Sequence, residues 1–220
     1  MTGLPQSNGL SRRAVLAGLP WLVAGCVDSR RFEWPAAIVS DYGEYGPVTD
    51  GSITIPALDL TTVDASLLRQ EVPWHGPQRP GSIVVAIPER RLYFVKANRR
   101  ALRYAIGVGR EEALNFRGSA TIGNKEAWPR WTPTASMIAR IPRYAAYAGG
   151  MPGGLENPLG ARALYLYRDK RDTFFRLHGT NEPDSIGGAV SSGCIRLFNQ
   201  DIIDLYNRVP VGTPVMVLQG

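Results

Sequence analysis

Ser82-Ile83-Val84-Val85-Ala86-Ile87 is the stretch on which the fold class turns. Its residues are mostly β-branched, and Pro80-Gly81 before it and Pro88 after it break any helix. A short apolar run closed at both ends by breakers reads as a buried strand. Outward from it, Arg91-Leu92-Tyr93-Phe94-Val95-Lys96 follows after a short turn. Arg103-Tyr104-Ala105-Ile106-Gly107-Val108 comes next, and the three runs predict an antiparallel meander. Further strands are expected over 119–122, 163–167, 173–178 and 214–218. One helix is expected over 200–208, with Asn199 as cap, Ile202, Leu205, Tyr206 and Val209 on one face, and Pro210 as its stop. The class is mostly β with minor α.

Composition sets the limits. The chain has 220 residues, 44% hydrophobic and 20% charged, an ordinary globular mix that excludes a disordered chain. Its 24 Gly and 17 Pro suit a loop-rich β protein better than a helical bundle. Two Cys exclude a multi-disulfide scaffold and a four-cysteine zinc site, and two His leave little for a His-rich metal centre. The net charge of +6 is spread along the chain, whereas nucleic acid binding needs a concentrated basic stripe. Residues 127–160 read as long loops, of a length that is often functional. Within them, Trp128-Pro129-Arg130-Trp131 fits a substrate shelf and a packed loop equally.

The first residues read as an address. Ser11-Arg12-Arg13 precedes a short apolar run that ends in Val23-Ala24-Gly25-Cys26. The run is too short to span a bilayer, which takes about 20 apolar residues. Twin arginines before it resemble a twin-arginine export signal, and the small residues before Cys26 resemble a bacterial lipobox. The expected organisation is therefore an export and lipoprotein signal over 1–25, a tether and lead-in over 26–79, and a catalytic domain over 80–220. Cys26 would carry the lipid and hold the exported, periplasmic protein at a membrane. A short helix capped by Asp64 is expected over 64–70 in the lead-in.

With Cys26 lipidated, Cys194 is an unpaired thiol in an oxidising compartment, which marks it as reactive. It sits in Ser191-Ser192-Gly193-Cys194-Ile195-Arg196-Leu197, where small residues leave it open and Arg196 supplies a charge that favours the thiolate. His178 ends the run Phe174-Phe175-Arg176-Leu177 and precedes Gly179-Thr180. One loop between the two segments is enough to bring His178 beside Cys194 as general base and acid. His75, in the lead-in, reads as structural. Gly107-Val108-Gly109 lacks the third glycine and the helix of a nucleotide fingerprint.

Leu177-His178-Gly179-Thr180 followed by Ser191-Ser192-Gly193-Cys194-Ile195-Arg196-Leu197 resembles the active-site motif of the YkuD-type L,D-transpeptidases. Glu126-Ala127-Trp128-Pro129-Arg130-Trp131-Thr132-Pro133 and Asn157-Pro158-Leu159-Gly160-Ala161-Arg162-Ala163-Leu164-Tyr165-Leu166 are also similar to this family. Two positions depart from the commoner pattern: Ser192 stands where many members carry His, and Arg196 where others carry Asn. The resemblance implies a two-sheet catalytic domain with a short C-terminal helix. It implies that Cys194 attacks the third-residue carbonyl of a peptidoglycan tetrapeptide stem, releases D-Ala and passes the acyl group to an amine, forming a 3→3 cross-link. It implies His178 as base and acid, amides of Gly193 and Cys194 as the oxyanion hole, and Ser192, Arg196, Gly179 and Thr180 as orienting residues. No metal or organic cofactor is called for, and no feature demands a dimer. Water as acceptor would make a carboxypeptidase or peptidase, and a Lys of an outer-membrane protein would make an anchoring enzyme. A silent wall-binding lipoprotein is the remaining alternative.

Overall fold

The computed structural model describes residues 42–111, 115–191 and 193–219. The signal segment 1–25, Cys26 and Ser192 lie outside the described residues. In chain order the strands are β1 (Val48–Asp50), β2 (Ile53–Ile55), β3 (Gln70–Pro73), β4 (Ile83–Ala86), β5 (Arg91–Lys96), β6 (Arg100–Ala105), β7 (Val108–Gly109) and β8 (Gly118–Ala127). After helix α1 (Ala135–Arg140) come β9 (Arg162–Arg168), β10 (Arg171–His178), β11 (Ala189–Ser191) and β12 (Ile195–Arg196). Helix α2 (Asn199–Arg208) and β13 (Pro214–Leu218) close the described chain.

The protein is mostly β, as its sequence predicts. One ladder runs through nine strands in the order β12-β10-β9-β8-β13-β4-β5-β6-β3, and β1/β2 and β7/β11 form two small ladders of their own. β4, β5 and β6 make the expected antiparallel meander. Within the nine-stranded ladder two pairings are parallel, β4 with β13 and β10 with β12, and the β7/β11 ladder is parallel as well. Parallel neighbours need a crossover, and the chain makes the second one with the loop between His178 and Ile195.

All four residues of β4 are buried, which explains its unbroken apolar run. Its Ile83 and Val85 join Leu92, Ile122, Leu164, Leu166, Leu177 and Ile195 in the main core. Ile202 and Leu205 of α2 complete that core, so the predicted apolar face of the helix is the buried one. Each such side chain contributes about 1.5–3 kcal/mol by leaving water.

Three local differences have physical reasons. Asn199 is the first helical residue of α2 rather than its cap; Phe198 holds the cap position without a side-chain hydrogen bond. The helix expected over 64–70 is a single 3-10 turn, Ala65–Leu67, with the Asp64 carboxylate accepting from Ser66 N. β3 leaves immediately afterwards to pair with β6, so the lead-in supplies an edge strand of the main sheet. The long loops of 127–160 contain α1 and a 3-10 turn over Pro142–Tyr147. Buried Asn157 pins them, its Nδ2 donating to the carbonyls of Pro129 (3.0 Å) and Pro152 (2.9 Å). Trp131 is buried edge-on against Tyr144, and Trp128 Nε1 donates to Asp50 Oδ2 at 2.9 Å. These contacts fit the packed-loop reading of the Trp pair.

Candidate active site

The parallel register of β10 and β12 assembles the site. Leu177 pairs with Ile195 and His178 with Arg196. Leu177 and Ile195 face the core, so His178 and Arg196 share the opposite face. Cys194 stands one residue before β12, and its sulfur lies against the backbone of β10, at the Arg176 N–H and the Phe174 carbonyl. The loop between the two segments lays β12 beside β10, so the cysteine segment runs alongside the strand that ends in His178.

His178 is buried, and its Nδ1 lies 2.6 Å from the carbonyl oxygen of Gly179. A carbonyl only accepts, so Nδ1 carries the proton and Nε2 carries the lone pair. Burial pushes the imidazole down to about 3, with the charge of Arg196 adding to the effect and the Gly179 carbonyl opposing it. The ring is therefore a neutral base at neutral pH.

Asn199 explains how the His178 turn is held. Its Oδ1 accepts from Ala161 N (3.0 Å) and Thr180 N (3.3 Å), and its Nδ2 donates to Thr180 O (2.9 Å). A Cβ on Gly179 would stand 2.2 Å from that Oδ1, so the turn needs glycine for space. Thr180 is buried and its Oγ1 accepts from Glu182 N, so it braces the turn. Asn199 was read only as a cap; a contact across nineteen residues leaves no periodic signal in a sequence.

The cysteine loop is folded tightly on itself. Ser191 Oγ donates to Cys194 O at 2.7 Å and accepts from Gly193 N at 3.1 Å. Gly193 has φ +126, a conformation natural to glycine. Its N–H donates to Ser191 Oγ within the loop. The Gly107-Val108-Gly109 segment has a structural use here: a Cβ on Gly109 would come within 3.1 Å of Gly193 Cα. Gly107 exchanges both backbone hydrogen bonds with Arg196, at 2.9 Å each. Arg196 itself donates from Nη1 to Glu182 Oε2 at 2.7 Å.

The Cys194 thiol is partly buried and directs Sγ toward the Phe174 carbonyl at 3.9 Å. Burial pushes the thiol up, while the Arg176 backbone N–H and the charges of Arg176 and Arg196 pull it down less. Arg196 does pull toward the thiolate, as expected, but burial outweighs it. Phe174 lies in a bulge of β10, where the register with β9 shifts between Asp172 and Arg176. Its φ of +63 is unusual for a bulky residue, and its side chain is 81% exposed. Asp172 ties the bulge, accepting from Phe174 N at 2.8 Å. Arg176 and Asp172 are the parts of this site that the sequence reading missed.

Residues 80–217 match the family model described as YkuD, L,D-transpeptidase catalytic domain. The chain belongs to that family. Among similar curated proteins, the probable L,D-transpeptidase YcfS of Escherichia coli (strain K12) is 35% identical over 72% of this chain and 48% of its own length. The probable L,D-transpeptidase YbiS of the same strain is 38% identical over 62% of this chain and 44% of its own. The chain thus spans less than half the length of either relative. A solved chain from Brucella melitensis, titled a probable carnitine operon oxidoreductase, is 46% identical over 71% of this chain and 96% of that one. Its TM-score is 0.49, an overlap too loose to bear on activity. Among the described residues no group of three His, Cys, Asp or Glu could hold a metal ion, and no helix is long and apolar enough to cross a membrane.

Proposed function

We propose that the chain is a cysteine-dependent peptidoglycan L,D-transpeptidase that acts on tetrapeptide stems. The observation that carries the reading is the tautomer of His178, whose Nδ1 proton goes to the Gly179 carbonyl and whose Nε2 is left free to take one. Substrate attack and proton transfer occur together, because both resting groups are neutral. The thiol proton passes to Nε2 as sulfur bonds to the third-residue carbonyl carbon. The Cys194 amide donates to the oxyanion, an interaction of several kcal/mol in a water-poor site. The C–N bond then breaks, the Nε2 proton goes to the leaving D-Ala nitrogen, and a thioester remains. An amine of a second stem attacks it, gives its proton to Nε2, and the thiol takes that proton back as the cross-link leaves.

The twin arginines and the residues before Cys26 support export and lipid anchoring of the same protein. Peptidoglycan stems would then be its partners in the periplasm.

The test incubates the purified protein with disaccharide-tetrapeptide and reads products by mass spectrometry, with Cys194→Ser alongside. A cross-linked dimer lacking one D-Ala, absent with the variant, is the expected result. Tripeptide and free D-Ala without dimer would replace the reading by a carboxypeptidase. No product with either protein would sink it.

A further inference from the structure

Arg176 has no part in the acyl transfer written above, yet three groups fix it on the catalytic face. Its Nη1 and Nη2 donate end-on to Asp172 Oδ1 (2.7 Å) and Oδ2 (2.8 Å). Nη1 donates again to Phe175 O at 3.0 Å. The guanidinium stacks over the Tyr165 ring at 4.1 Å, and Tyr165 is in turn held by a 2.7 Å bond from its hydroxyl to Glu126 Oε2. A guanidinium has five N–H donors. Three are occupied, which leaves the Nε hydrogen and one Nη2 hydrogen without an acceptor among the described residues. Those two form the side-on edge of the fork, the edge that takes a second carboxylate bidentately. The side chain keeps 15% exposure, so this edge is covered only in part.

Its position matters as much as its free edge. Arg176 adjoins the cysteine: its backbone N–H reaches the Cys194 sulfur, and Cys194 immediately precedes the Ile195 that pairs with Leu177. In the reaction proposed above, the residue that leaves is the last of the stem. Its α-carboxylate is therefore two bonds from the scissile nitrogen, always the same short distance from Cys194.

We propose that Arg176 reads the terminal carboxylate of the acyl donor through its Nε–Nη2 edge, with Asp172 as the positioning residue that presents that edge. The inference rests on the transpeptidase reading for the identity of the donor. It gives the site a way to select length. A stem one residue longer moves its carboxylate by about 3.3–3.6 Å, beyond a fork that Asp172 and Tyr165 hold in place. A stem ending in an amide offers no charge to it. Arg196 is the rival, since it too lies on this face. It is held by one hydrogen bond to the exposed Glu182 and lies opposite His178 rather than Cys194.

The test separates charge reading from structure. Tetrapeptide stem and its C-terminal amide are titrated calorimetrically into the full chain carrying Cys194→Ser, which stops turnover. The acid should bind on the order of tenfold tighter than the amide. Adding Arg176→Gln should bring the two within about twofold of each other, with the amide affinity little changed. Adding Arg176→Lys, which keeps the charge and loses the fork, should keep part of the preference. Adding Arg196→Gln should keep all of it. A preference that survives Arg176→Gln, or that vanishes with Arg196→Gln, overturns the assignment, as does equal binding of acid and amide at the start. Turnover of the tetrapeptide by the protein with Cys194 intact is scored separately. Turnover without an Arg176-dependent preference removes this inference and leaves the transpeptidase; a preference without turnover does the reverse.

Discussion

At the scale of single residues, the site begins from a neutral thiol and a neutral imidazole, and burial is the reason for both. Cations next to a cysteine usually stabilise its thiolate. Here Arg176 and Arg196 pull in that direction, but loss of water outweighs them. The same burial strips the proton from His178 down to about pH 3, so the imidazole has no charge with which to hold a thiolate in an ion pair. The pH dependence of alkylation follows. Only the thiolate reacts, and with a raised thiol its fraction increases about tenfold per pH unit until past the ordinary cysteine value of about 8.5. The rate of Cys194 modification by iodoacetamide, measured by mass spectrometry from pH 5 upward, should climb without a plateau until past the ordinary thiol value. A plateau between pH 5 and 7 would mean a resting ion pair and would refute the neutral-pair account. The sequence made Cys194 and His178 legible because each is a scarce residue type in a small-residue setting. It showed the pull of Arg196 but not the larger effect of burial, which depends on packing that no local window contains.

At the scale of elements, the decisive device is a side chain at the start of α2 that holds the turn after β10. Asn199 bonds to backbone on both sides of a gap that only glycines can fill; a Cβ on Gly160 would stand 2.3 Å from its Oδ1. Asn199→Ala removes these bonds and leaves buried backbone groups unpaired, at a cost of about 1–3 kcal/mol. The turn carries His178 but not Cys194. Turnover of tetrapeptide should therefore fall roughly a hundredfold, the scale set by about 1 Å of misplacement. Iodoacetamide should still modify Cys194 at the parental rate; equal losses in both assays would mean that Asn199 holds the whole site. The elements themselves were readable where breakers and β-branched runs coincide, as in β4, β5 and β13. β12 was not, because two residues carry no period, and the β10 bulge was not, because it places the bulky Phe174 at positive φ. α1 was hidden in a segment whose Pro and Gly content argues for loop.

At the scale of the whole described chain, the lead-in is bound to the catalytic domain by a buried charge cluster whose members are far apart in sequence. Arg69, just before β3, reaches Asp204 at 3.2 Å and Asp201 at 3.5 Å on α2, and Glu44 at 2.6 Å. Tyr45 donates to Asp201 at 2.9 Å and Tyr104 to Asp204 at 2.6 Å. Separations above 100 residues are invisible to periodicity, so a reading of 26–79 as tether and lead-in holds no sign of the β3 pairing or of these contacts. Asp201 is fully buried and its Oδ2 has no partner, so burial pushes its carboxyl up to about 7 despite Arg69. Arg69→Met would leave the carboxyls of Asp201 and Asp204 without their shared cation, at a cost of about 3 kcal/mol. For a domain of this size the melting temperature should fall by roughly 10 °C. The sign of the pH dependence is fixed by the raised carboxyl. Above its unfolded value near 3.8 the unfolded chain is ionised while the folded chain keeps its proton, so stability declines as pH rises toward 7. Removing Arg69 pushes the carboxyl further up and extends that decline. Thermal melts of Arg69→Met should therefore lose more between pH 5 and pH 8 than those of the parent, and adding Asp201→Asn should flatten the difference. A variant that melts in parallel with the parent across that range would show that the cluster contributes shape rather than charge.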